Sequence, residues 1–173
     1  MTKGIQLEIK YSIITFIGVI AVYTFLHFFP FEEFGGLVNS SWGFLPLLIP
    51  CFTIALGIRE RKNKLLDGEI DFGRAFATGL IISIFYATLV TIALAVAWPW
   101  LELAATEQMI ESERARLAEG GHPPEEVDEL IRQIKGVTSL PMQMMQTFMS
   151  NLIAGMLISL VVAFGFKRPE YPE

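Results

Sequence analysis

The chain has 173 residues, a length that suits a single domain. Its hydrophobic fraction is 53%, its charged fraction 18% and its mean hydropathy +0.50, whereas soluble domains carry about 25% charge, so the composition leans toward the membrane. A net charge of −5 argues against nucleic acid as a partner, and the single cysteine, Cys51, excludes an intrachain disulfide and a thiol-based metal cluster.

The apolar residues fall into blocks and the charges fall between them. Residues 11–29, 43–58, 75–101 and 140–166 contain no Asp, Glu, Lys or Arg. A bilayer core about 30 Å thick needs roughly 20 helical residues to cross. The expectation is an all-α membrane protein, one integral membrane domain over 1–173. It has four transmembrane helices, over about 11–29, 42–58, 75–98 and 143–166. An extramembrane helical hairpin over about 102–138 separates the third and fourth. The second block is short and depends on Ser40, Ser41 and Trp42 to extend it. The first block is too long for a signal-peptide core and no small-x-small site follows it, so it reads as a retained span.

Span one is rich in Val, Ile and Phe, and in lipid only a helix satisfies such a segment's backbone. His27 near its end reads as interfacial, and His122 is too far along the chain to suggest a metal pair. Span two carries Pro46 and Pro50, and Pro50 should kink it. The helix should continue past the membrane to about Leu66. Gly68 then suits a left-handed cap and Asp71 can cap the next helix. Span three bears a small-residue stripe, Ala75, Gly79, Ser83, Ala87, Thr91 and Ala95, and span four a shorter one, Gly155, Ser159 and Ala163. Such stripes let helices approach closely in lipid. Pro99 should interrupt the chain after span three. A helix is then expected over about 102–119, ending at Gly120-Gly121. A second begins at Pro124, with Val127, Leu130, Ile131 and Ile134 on one face.

Lys and Arg mark cytoplasmic loops. Lys3 and Lys10 precede span one, Arg59, Arg61, Lys62, Lys64 and Arg74 lie between spans two and three, and Lys167 and Arg168 follow span four. The long segment 102–139 has four basic residues against nine acidic ones. Both termini are therefore expected in the cytoplasm. No Asp, Glu, Lys or Arg falls inside an expected span, which weakens ion-coupled mechanisms.

No nucleophile elbow, phosphate loop, paired-histidine zinc motif or nucleotide fingerprint is present. No catalytic, cofactor-binding or metal residue is assigned, and no cofactor is expected.

The order of motifs resembles the bacterial membrane proteins grouped as the domain of unknown function 4199 family. The resemblance rests on Gly57-Ile58-Arg59 ending span two and on Gly68-Glu69-Ile70-Asp71-Phe72-Gly73-Arg74-Ala75-Phe76 opening span three, with Gly79 following. Leu140-Pro141 before span four, with Gly155 and Ser159-Leu160 inside it, also fits. The resemblance implies an inner-membrane location in Gram-negative bacteria, and neither an activity nor catalytic residues. The loop motif itself reads as structural, with Phe72 and Phe76 anchoring at the interface and Gly73 and Gly79 permitting close approach.

The functional expectation is a non-enzymatic accessory or assembly subunit in the lipid bilayer, acting through a membrane protein partner or copies of itself. The alternative is a small transporter or channel component, motivated by Pro46, Pro50 and polar positions such as Ser83 and Thr88. A membrane enzyme has no residue set behind it.

Overall fold

The structure is a computed structural model that describes residues 2–28, 45–101, 107–121 and 123–166. Ser40, Ser41, Trp42, His122, Lys167 and Arg168 lie outside the described residues. These residues form helices α1 (Thr2–Phe28), α2 (Leu45–Leu65), α3 (Phe72–Leu101), α4 (Glu107–Glu119), α5 (Pro124–Val137) and α6 (Leu140–Phe166), with no strand among them. Among the described residues three stretches are long and apolar enough to cross a membrane: Lys3–Phe25, Phe72–Pro99 and Leu140–Phe166. The described residues thus fold as helices and their connecting turns, with membrane character. α2 does not join those three. It has 21 residues, but Arg59, Glu60, Arg61, Lys62 and Lys64 crowd its last two turns, and residues 42–44 are outside the described ones.

The helix that carries the expected span of about 11–29 begins as α1 at Thr2, so Glu8 and Lys10 are helical. α3 passes through Pro99 to Leu101 instead of breaking there. A proline so near the C-terminus removes a single ladder bond and leaves few turns beyond it to disrupt.

The chain divides into two compact units, Met1–Leu89 with Ser150–Glu173, and Val90–Met149. In the first, α1 and α2 run antiparallel. Thr15 Oγ1 meets Thr53 Oγ1 at 2.7 Å, while at the other end Lys10 Nζ reaches Glu60 Oε2 at 2.9 Å. Leu7, Tyr11, Ile54, Ile58, Ala75, Ile82 and Ala163 form the core. Small hydroxyl residues share this interior: Ser12, Thr15, Thr53, Thr78, Ser83 and Ser159 are all buried. Each lies 2.6 to 2.9 Å from the carbonyl four residues back in its own helix, and of Thr15 and Thr53 one gives its single proton to the other. Ile13, Ile17, Phe52, Val161 and Phe164 are exposed instead. This reverses a soluble core, because lipid is as apolar as isoleucine and small residues gain most from close helix contact.

The α2–α3 connection uses two left-handed residues, Asp67 (φ 50°) and Gly68 (φ 89°). Gly68 N donates to the Lys62 carbonyl at 2.9 Å, and Asp71 Oδ1 accepts the Arg74 amide at 2.8 Å, satisfying groups orphaned at the two helix ends. In the second unit, α4 and α5 form a hairpin turned at Gly121 (φ 77°). Val127 and Ile131 are buried, and Arg114 pairs with Asp128 at 3.0 Å.

Candidate functional site

The small residues of α3 and α6 meet in reciprocal pairs. A Cβ built on Gly79 would lie 2.7 Å from Ser159 Cβ and 3.0 Å from Ile54 Cγ2, and one built on Gly155 would collide with Ser83. Gly79 faces Ser159 and Ser83 faces Gly155, so the two helices are antiparallel. Phe72 and Phe164 agree, with ring centroids 4.9 Å apart. Each serine of the two pairs donates to the glycine four residues before it, Ser83 to Gly79 and Ser159 to Gly155. Ala87 and Ala163 are buried as well. Gly57 holds Ile82 and the Tyr11 ring close in the same way. Phe72 and Phe76 stack at 6.1 Å, Gly73 sits against the Asp71 carboxylate, and Arg59 is exposed.

Beside this seam, α1, α2, α3 and α6 enclose a cleft with about 530 Å³ of empty space, measured out to its mouth. Val19, Ile54, Ile82 and Ile158 supply apolar wall; Thr15, Tyr23, Ser83, Tyr86 and Asn151 supply polar groups. Among the described residues no Asp, Glu, Lys, Arg or His lines it.

Pro46 and Pro50 both line the cleft, although α2 stays helical through Pro50. Proline carries no N–H, so the ladder bond from position 50 to the Pro46 carbonyl is missing. Tyr86 is only 7% exposed, and its hydroxyl makes no hydrogen bond among the described residues. Thr88 does not line the cleft: it is exposed and returns its hydroxyl to the Ile84 carbonyl at 2.8 Å.

Where α1 begins and α2 ends, a charge cluster joins the helices. Glu8, its side chain 2% exposed, pairs with Arg61, which is 26% exposed. Glu60 accepts from Lys10 at 2.9 Å, Lys64 at 2.8 Å and the Tyr11 hydroxyl at 2.5 Å. These donors hold the Glu60 carboxyl at about 2, far below its ordinary 4.5. Sequence reasoning overlooked Glu8. The available signal was the helical face Glu8, Ser12, Thr15, Val19, visible only once α1 is extended back past Tyr11.

The comparisons agree with the resemblance in sequence. The family model described as a protein of unknown function (DUF4199) matches residues 10–168, and the chain belongs to that family. No curated protein and no solved structure matches it.

Proposed function

We propose that this member of the DUF4199 family is a four-span protein of the bacterial inner membrane, with both ends cytoplasmic. In this reading it binds a small molecule in its interhelical cleft, as a transporter or channel component does. The observation that carries the reading is the cleft itself: bounded by four helices, without a charged side chain among its described lining residues, and bordered by the proline-interrupted stretch of α2. α2 as a fourth crossing is supported by its antiparallel course beside the apolar part of α1, with Thr53 against Thr15 and Ile49 against Gly18. The cytoplasmic placement of the ends is supported by the basic residues Lys3, Lys10, Arg59 and Lys62, which gather where α1 begins and α2 ends.

Cysteine labelling tests the cleft. In a Cys51→Ala background, Ser83→Cys and Asn151→Cys should react with a small water-soluble thiol reagent, and Thr88→Cys should not. Complete protection at both cleft positions would sink the reading. A reporter fused after Arg168 should be active only in the cytoplasm, and one inserted at Gly121 only outside; the reverse pattern would overturn the topology.

A second reading is a non-enzymatic accessory or assembly subunit working through a membrane protein partner. The compact unit Val90–Met149 favours it, because its hairpin buries Val127 and Ile131 while exposing Glu125, Asp128, Glu129 and Arg132. Crosslinking from Glu129→Cys in native membranes should return one reproducible partner; only monomers would count against it.

A further inference from the structure

We propose that the cleft holds a neutral single-chain amphipath with one hydroxyl head, a long-chain alcohol taken from the bilayer. This rests on the small-molecule reading above and names its ligand class.

Charge comes first. Among the described residues no Asp, Glu, Lys, Arg or His lines the cleft, so among them an anionic, cationic or zwitterionic head would find no charged partner. The polar groups then define the head. The Ser83 hydroxyl spends its proton on the Gly79 carbonyl at 2.8 Å, so toward the cleft it offers only lone pairs. Pro46 offers a carbonyl that lacks its ladder donor, since residue 50 is proline. Tyr86 is more than nine-tenths buried, lines the cleft, and carries a hydroxyl that makes no hydrogen bond among the described residues. The cleft therefore sets the Tyr86 donor beside acceptors from Ser83 and Pro46, with the hydroxyls of Thr15 and Tyr23 and the amide of Asn151 also in its lining.

A hydroxyl complements that set, giving one proton and accepting another. An ether or ester would take the Tyr86 proton and leave the acceptors unmet, and an amine would arrive charged. The remaining wall, Val19, Ile54, Ile82 and Ile158, suits hydrocarbon. The empty space of about 530 Å³ counts open solvent at the mouth, an upper limit that favours a single chain over a two-tailed lipid.

The test uses the full chain in phosphatidylcholine nanodiscs with a diazirine-bearing hexadecanol as the probe. Photolabelling should fall on the peptides around Ser83–Tyr86 and Asn151–Ile158. Unlabelled hexadecanol should compete about tenfold better than its methyl ether or, at pH 8, the fatty acid of equal length. Tyr86→Phe, which deletes one oxygen, should weaken labelling about five- to tenfold. Ala154→Trp, which fills the cleft, should abolish it, while Thr88→Val leaves it unchanged. Ether or acid competing as well as the alcohol would overturn the proposal, as would wild-type labelling of a folded Tyr86→Phe protein. Ser83→Cys reactive toward thiol reagents, with no alcohol binding, would refute this ligand and leave the broader reading standing. A cleft closed to both would refute the two together.

Discussion

Replacing Arg61 with alanine should destabilise the protein more than replacing Glu8, although the two residues form one ion pair. The difference follows from their exposure: the Glu8 side chain is 2% exposed and that of Arg61 26%. Arg61→Ala strands a carboxylate in the interior beside Leu7 and Tyr11, and a buried charge without its partner costs about 3–5 kcal/mol. Glu8→Ala leaves a guanidinium that can turn outward to water. Its cost reduces to a lost charge-assisted bond, about 1.5–3 kcal/mol. The gap between the variants should be at least about 1 kcal/mol. Adding Glu8→Gln to Arg61→Ala removes the stranded charge and should recover most of the loss. Reversible unfolding in mixed micelles with increasing dodecyl sulfate, followed by far-ultraviolet circular dichroism, measures all four proteins. Equal costs for the two alanine variants, or no recovery in the double variant, would refute the reasoning.

Three further outcomes are expected. Glu60 is held at about 2 in the folded state against an ordinary 4.5, so its contribution is complete above about pH 4.5 and fades as pH falls toward 2. Because Lys10 and Lys64 are largely exposed, it should amount to only about 1 kcal/mol; Glu60→Gln should flatten the stability profile over that window, as acid titration of unfolding would register. Gly79→Ala should cost about 1–3 kcal/mol by pressing on Ser159, and Ser159→Gly added to it should restore thermal stability, whereas Ser83→Gly should not. Gly68→Ala, at φ 89°, should cost about 1–2 kcal/mol for a left-handed side chain, while Gly136→Ala, which meets nothing within 4 Å, should be neutral or stabilising; thermal melts in detergent compare them.

Much of the helical layout is legible in sequence because it is local. Charge-free blocks mark the long apolar helices, and the turn around Gly68 and Asp71 is written in residues that touch one another along the chain. The four-residue spacing of Gly79 and Ser83, and of Gly155 and Ser159, gives the close-packing faces of α3 and α6. The spacing does not tell which glycine meets which serine, since that register belongs to two helices at once. Glu8 escaped notice for a related reason. A lone acid ahead of an apolar block looks solvated until Arg61, 53 positions away, arrives beside it. Pro99 misled because proline's cost depends on how many turns follow it. The cleft has no linear signature at all: its walls come from four separate segments, and only Pro46 and Pro50 stood out beforehand.

The two glycine–serine pairs between α3 and α6 also carry a historical consequence. Each pair fixes a sum of volumes rather than two separate identities. A descendant that enlarged position 79 would survive by shrinking position 159, and one that enlarged 155 by shrinking 83. Across the family these positions should therefore change as couples, 79 with 159 and 83 with 155, and the exchanges should leave the cleft beside them in place.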